Sequence, residues 1–187
     1  MSEIKLILIR HGEAASAFGE SEDPSLSALG TKQSKKLVKD LNIDVLNKYK
    51  FFSSPKARAI QTAKPLVDIL KKDLIVKKEF SEIPAPKIDS KEKQRWLKNI
   101  MSLPIDKLPK DVTLWRQNLL KVMSSLEKNT IVFTHFMVIN ALIGYIEKNK
   151  TLLYFYPANA SVTTVLIKNG TPSSYQDGEN KKTLINL

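Results

Sequence analysis

Lys5-Leu6-Ile7-Leu8-Ile9-Arg10-His11-Gly12-Glu13 is the stretch whose reading decides the fold. Its first five residues are mostly leucine and isoleucine, the composition of a short strand buried on both faces. The run then stops at a cation, an imidazole and a glycine. Core packing gives no reason for Arg-His-Gly at a strand end. In open α/β sheets ligands bind beyond the carboxyl ends of the strands, and glycine lets backbone approach a ligand closely. The stretch therefore predicts an anion site with His11 at its centre.

A lone histidine after a strand is ordinarily a surface or hydrogen-bonded residue, so the rest of the chain carries weight. There are two histidines, and the second, His135, also follows an apolar run, Thr130-Ile131-Val132-Phe133-Thr134. Arginine is scarce as well: Arg10, Arg58, Arg95 and Arg116 stand against twenty-six lysines. Arg10 precedes His11, and Arg58 lies just past a third short run, Phe51-Phe52-Ser53-Ser54. A lysine-rich chain that places its rare arginines at strand ends needs planar, bidentate donors there.

Arg10-His11-Gly12-Glu13 resembles the signature of the histidine phosphatase superfamily, the phosphoglycerate mutase-like proteins. Leu26-Ser27-Ala28-Leu29-Gly30-Thr31-Lys32-Gln33 is similar to the family's leucine-Ser/Thr-x-x-Gly-x-x-Gln element. Ser53-Ser54-Pro55-Lys56-Ala57-Arg58-Ala59-Ile60-Gln61-Thr62-Ala63 is similar to its Ser-Pro-x-x-Arg-Ala-x-Gln-Thr-Ala element. Thr134-His135 and Asn159-Ala160-Ser161 match later elements, all in family order.

At 187 residues, with 42% hydrophobic and 26% charged residues, the chain is expected to be a single globular domain. It has no cysteine, which excludes disulfide and thiol chemistry. The N-terminal apolar run is too short for a signal peptide and no stretch reaches membrane-spanning length, so a cytoplasmic protein is expected by default. The net charge of +11 comes from lysines spread along the chain. Without a basic block or basic-aromatic interleaving it reads as a solvated surface that attracts phosphorylated substrates, and no nucleic-acid or membrane partner is expected.

Residues 14–23 read as a loop, followed by a helix to about Leu41 with Ser25 or Ser27 as cap and Leu29, Leu37, Val38 and Leu41 on its inner face. The helix after Pro55 carries Ala59, Thr62, Ala63, Leu66, Val67 and Leu70, and Pro65 is expected to kink or split it. Leu74-Ile75-Val76 reads as a strand, and Pro84 and Pro86 make the segment after Glu82 an extended loop. Residues 90–129 read as two helices divided by a segment between Pro104 and Pro109, with Trp96 and Trp115 as packing residues. A strand over Thr130–Thr134, a helix over residues 138–147, a last strand over residues 161–167 and a polar tail complete the pattern. Alternating strands and helices indicate an α/β fold with a mostly parallel sheet. The resemblance implies a three-layer α/β/α sandwich of phosphoglycerate mutase-like type, with the 90–129 insertion partly covering the site.

Phosphoryl transfer needs an in-line nucleophile, donors for the equatorial oxygens and a proton for the leaving oxygen. The resemblance implies that His11 is the nucleophile and that Arg10, Arg58 and His135 hold the phosphoryl oxygens. It also implies a glutamate acid between Arg58 and His135. Glu82 fits by position, since its apolar neighbours Phe80, Ile83 and Pro84 would raise its pKa. Glu13, next to His11, is the alternative acid. No cofactor is implied, and no His/Asp/Cys cluster suggests a metal.

Three departures bear on substrate. Phosphoglycerate mutases proper carry a tryptophan-asparagine pair where this chain has Ala17-Phe18. The second histidine is commonly followed by glycine, here Phe136, and the acid loop from Glu82 to Pro86 lacks a glycine-rich continuation. These favour a phosphomonoesterase of the histidine acid phosphatase type acting on a phosphorylated small molecule or phosphoprotein. A phosphoglycerate-type mutase is the alternative within the enzymes, and a phospho-ligand binding or signalling module with little turnover is the alternative outside them. Oligomeric state is not legible in the sequence.

Overall fold

A strand of unbroken apolar residues is stable only with a layer on each side. A computed structural model, which describes residues 3–176, places such a strand, β1 (Glu3–Arg10), as one of the two central strands of a six-stranded sheet. The chain continues through α1 (Ala28–Asp40), the short α2 (Ile43–Leu46), β2 (Lys50–Ser53), α3 (Ala57–Leu70) and β3 (Leu74–Val76). Then follow α4 (Ser90–Ser102), α5 (Lys110–Ser124), β4 (Thr130–Thr134), α6 (Phe136–Ile146), β5 (Val162–Lys168) and β6 (Thr171–Gln176). Single 3-10 turns occupy Lys78–Phe80 and Ile105–Lys107.

The strand order is β3-β2-β4-β1-β5-β6. The first four run parallel, β5 is antiparallel to β1, and β6 is antiparallel to β5. Ile7 and Ile9 of β1 pack with Leu37, Ala63, Leu66 and Phe51 on the face covered by α1 to α3. Leu6 and Leu8 pack with Leu119, Val138 and Leu142 on the face covered by α5 and α6. A third cluster, Ile83, Leu97, Ile100, Val112, Phe136 and Met137, joins α4 and α5 to the start of α6. The mostly parallel sheet between two helical layers is the α/β/α sandwich that the sequence led us to expect.

Four expectations need correction. Leu29 does not face inward; it is 50% exposed. The inner stripe of α1 is Gly30, Ser34 and Leu37, and its first member is a glycine because the helix start presses against the β1 turn. Of the two outcomes expected at Pro65, a kink or a split, the split does not occur, and α3 runs through it as one helix. The proline removes one backbone donor, but the buried stripe Ala59, Thr62, Ala63, Leu66 and Val67 holds the helix across that point. The helix after His135 begins at Phe136 rather than Val138. Finally, residues 171–176 of the expected polar tail form β6, joined to β5 by a turn at Asn169 and Gly170, both with positive φ. The remainder of that tail lies outside the described residues.

Candidate active site

Parallel pairing brings three strand ends together. Arg10 lies in register with Thr134, and Ser53 with Phe133. The pairing continues one residue past the strands: His11 N–H donates to the Thr134 carbonyl at 2.9 Å and Ser54 N–H to the Phe133 carbonyl at 3.0 Å. Residues distant in sequence (His11, Ser54, Arg58 and His135) are thus placed side by side, and all four are buried.

The hydrogen bonds of His11 define its tautomer. Its Nδ1 lies 2.6 Å from the Gly12 carbonyl, which can only accept, so Nδ1 carries the proton. Its Nε2 accepts from Nε of Arg58 at 3.1 Å. Burial, and then the positive charges of Arg58 and Arg10, hold the His11 pKa well below the ordinary value, against a smaller opposite effect of the Gly12 carbonyl. The ring is neutral at neutral pH, with its free electron pair on Nε2 facing a guanidinium.

The recognisable motif residues mostly brace this turn. Gly12 N–H donates to Thr62 Oγ1 at 2.9 Å, and Thr62 donates to the Arg58 carbonyl at 2.7 Å. A side chain at Gly12 would meet the Gly30 carbonyl oxygen at 2.7 Å, so the two glycines let the β1 turn and the start of α1 touch through backbone. Glu13 N–H donates to Gln33 Oε1 at 2.8 Å, and Leu26 N–H to Gln61 Oε1 at 2.7 Å. Ser27 caps α1 by accepting from Gly30 N–H, and its hydroxyl donates to Glu13 Oε1 at 2.7 Å. The Glu13 carboxylate is therefore engaged with the helix start, and it does not line the cavity.

Arg58, in the first turn of α3, bridges the two histidines. Its Nη2 lies 3.3 Å from Nδ1 of His135. A guanidinium only donates, so Nδ1 of His135 accepts and the proton of the neutral ring sits on Nε2, 2.7 Å from Ser54 Oγ. The rings of His11 and His135 are 5.1 Å apart and meet edge to face. Burial is the largest influence holding the His135 pKa well below its ordinary value, followed by repulsion from Arg58, from His11 when that ring is protonated, and from Lys56 and Arg10. Asp23 supports Arg58 from the other side: its carboxylate accepts from Ala57 N–H at 2.9 Å and lies 3.8 Å from Nη1.

Arg10 donates from Nη1 to the Pro157 carbonyl at 2.7 Å, and its guanidinium lies 5.1 Å over the Phe136 ring. Burial lowers its pKa to about 10, with Glu82 acting to raise it and Arg58 to lower it. Phe136, where the sequence departs from glycine, thus forms a platform under Arg10 and lines the cavity. The segment carrying Pro157 and Asn159 is fixed by the buried Asn140 of α6, whose Oδ1 accepts from Tyr154 N–H and Phe155 N–H. Asn159 and Ala160 in turn donate to the His11 carbonyl, each at 3.3 Å.

Glu82 sits at the amino end of α6. Its Oε1 accepts from Ile83 N–H at 3.0 Å and Met137 N–H at 3.1 Å. Burial raises its pKa and outweighs those bonds and the nearby Arg58 and Arg10. Its loop is pinned on both sides: Thr134 donates to the Phe80 carbonyl at 2.9 Å and the Trp115 indole to the Ser81 carbonyl at 3.0 Å. Trp115 is thus more than the packing residue expected of it.

These groups open into a cavity of about 660 Å³. Its floor is Arg10, His11, Arg58 and Glu82, and its rim includes Phe18, Gly19, Ile88 and Lys93. Lys93 and Leu97 place α4 on one wall, and a side chain at Gly19 would meet Cβ of Lys93 at 3.2 Å, so the 14–23 loop and α4 close against each other. Arg95 is exposed, and Arg116 lies 6.0 Å over the Tyr145 ring away from the cavity.

A neutral imidazole nitrogen, two guanidiniums, a second imidazole and a carboxyl of raised pKa converge on one space. Groups of these kinds can serve as a nucleophile, as stabilisation for an anion and as a proton source. All five side chains are ones that the sequence singled out. Sequence reasoning missed Asp23, Ser54 and Asn140 as supports; Asp23-Pro24 carried a turn signal, whereas the partner of buried Asn140 is visible only in the fold.

The sequence model of the histidine phosphatase superfamily (branch 1) matches residues 6–176. A comparison with the curated proteins found no match. Among solved structures, a phosphoserine phosphatase from Entamoeba histolytica in complex with 3-phosphoglyceric acid superimposes with a TM-score of 0.74 at 22% identity, covering 98% of this chain and 100% of that one. A mycobacterial glucosyl-3-phosphoglycerate phosphatase gives 0.70 at 17% identity over 95% and 97%. A phosphoglycerate mutase from Bacillus anthracis gives 0.68 at 19% identity over 96% and 93%.

Proposed function

The chain belongs to the histidine phosphatase superfamily, and from that premise we propose that it hydrolyses phosphomonoesters through a phosphohistidine on Nε2 of His11. The observation that carries this is the hydrogen bond from His11 Nδ1 to the Gly12 carbonyl, which leaves the electron pair on Nε2 aimed at Arg58. Arg10, Arg58 and His135 bind the phosphoryl oxygens, displacing the Arg58–His11 bond as the anion enters. Nε2 attacks phosphorus, the phosphorus–oxygen ester bond breaks, and Glu82 gives its proton to the leaving oxygen. In the second half the Glu82 carboxylate takes a proton from water as that water attacks the phosphohistidine, and phosphate leaves.

Glu82 is assigned as acid over Glu13 because it lines the cavity and its burial raises its pKa, whereas Ser27 occupies Glu13. The scheme uses guanidinium and imidazole donors for charge stabilisation and is metal-independent. The cavity volume suits a small phosphorylated molecule, and residues 90–129 act as a helical insertion that walls it within a single domain. Rapid quenching during turnover of a ³²P-labelled substrate should trap label that is lost in acid and kept in alkali, the stability of a phosphoramidate. Label on another residue, or none from active enzyme, would overturn the assignment.

A further inference from the structure

Ser54 is fully buried, and its hydroxyl stands at the far side of His135 from the cavity. Lys56 N–H donates to it at 3.2 Å, and Nε2–H of His135 donates to it at 2.7 Å. On the other edge of the ring, Nδ1 accepts from Arg58. That arrangement suits a cavity in which Arg58 is the neighbour. It is wrong for one holding phosphate, because an anion on His11 Nε2 meets Nδ1 of His135 as a bare acceptor. His135 must then present an N–H on Nδ1.

Two routes exist. The ring can gain a second proton, or it can stay neutral and move its one proton from Nε2 to Nδ1. The second needs a group behind Nε2 that accepts in one state and donates in the other. A hydroxyl does both, whereas a backbone carbonyl like that behind His11 cannot. With Lys56 N–H filling one electron pair in either state, the Ser54 proton is available for Nε2.

We propose that Ser54 is a positioning residue that lets His135 change tautomer when phosphate binds, so that a neutral ring donates from Nδ1 without taking up a proton. This rests on the phosphate-binding role given to His135 above. The groups facing the ring favour the neutral route: Arg58 from α3, Lys56 from the turn before it and Arg10 from β1 are cationic, and His11 is neutral. Glu82, which accepts from Met137 N–H two residues past His135, has its pKa raised by burial.

Imidazole ¹⁵N NMR of the full chain tests this directly, because the chain has two histidines and the His11→Gln variant assigns the other. At pH 7 without phosphate, His135 should show the Nε2–H tautomer; with saturating inorganic phosphate it should show neutral Nδ1–H. In Ser54→Ala the phosphate-bound ring should be imidazolium, and phosphate affinity should fall at least tenfold at pH 8 but much less at pH 5. Ser54→Thr should behave as the parent. The proposal is overturned if the parent ring stays Nε2–H or becomes imidazolium with phosphate bound, or if Ser54→Ala matches the parent. If phosphate shifts neither ring of the parent, the phosphate site fails, and this proposal with it.

Discussion

His11 and His135 follow neighbouring parallel strands, in register at Arg10 and Thr134, yet they are held in opposite ways. Behind His11 stands a carbonyl from its own next residue, in a turn braced by a glycine–glycine contact. Behind His135 stands a hydroxyl from a third strand end, and its next residue, Phe136, already begins a helix. A carbonyl fixes one tautomer and a hydroxyl permits two. The difference suits a nucleophile, which needs one electron pair in one place, against a donor, which must answer to whatever occupies the cavity.

Removing each ring in turn is the hardest test of that contrast. His11→Gln should lose on the order of 10⁴–10⁶ in kcat, as expected for a covalent nucleophile. His135→Gln should lose about 10²–10³, the range for one charge-stabilising donor. Steady-state kinetics on one phosphomonoester measures both, and equal losses would erase the distinction drawn between them.

Glu82 sharpens the comparison from the leaving-group side. Glu82→Gln should slow alkyl phosphates by about 10²–10⁴ and p-nitrophenyl phosphate clearly less, since a phenolate departs without a proton. Single-turnover phosphorylation rates separate this from the later activation of water. The graded loss appearing in Glu13→Gln instead would move the acid to the β1 turn.

The smallest effect is on stability. Both histidines have folded pKa values held below the ordinary 6.5, so unfolded chains bind protons that the folded state refuses as pH falls below 6.5. Stability from these rings is complete above that pH and declines below it, at roughly 1 kcal/mol per pH unit for each. Glu82 acts in the opposite sense, because its raised pKa makes the folded state take up a proton first as pH falls. With two groups against one, urea midpoints should drop from pH 6.5 to 5. Either His→Gln variant should flatten that slope; an unchanged slope would count against a buried neutral ring.

The strands that carry the histidines were legible because burial on both faces leaves continuous apolar runs, as in β1 and β4. β6 was not, because Thr171-Pro172-Ser173-Ser174-Tyr175-Gln176 is an edge strand with little to bury. Leu29 misled because apolar periodicity assumes a helix buries its largest residues, whereas α1 buries the small Gly30 and Ser34, the first of them where backbone meets backbone. At the site, the side chains that the fold brings together were legible from residue type, since scarce arginines and histidines at strand ends have few structural uses. Protonation patterns were not legible, because they depend on which atom lies 3 Å behind each ring.

The way the cavity is assembled divides it for an engineer. The end of β1, the start of α3 and the Glu82 loop make the floor, while Phe18, Gly19, Ile88 and Lys93 of the rim come from two surface segments. A library could randomise those rim positions, or exchange a whole segment, and leave the reacting groups untouched. One anchor has to travel with any such graft: Asp23, at the end of the first segment, is where it fastens to Ala57 and Arg58.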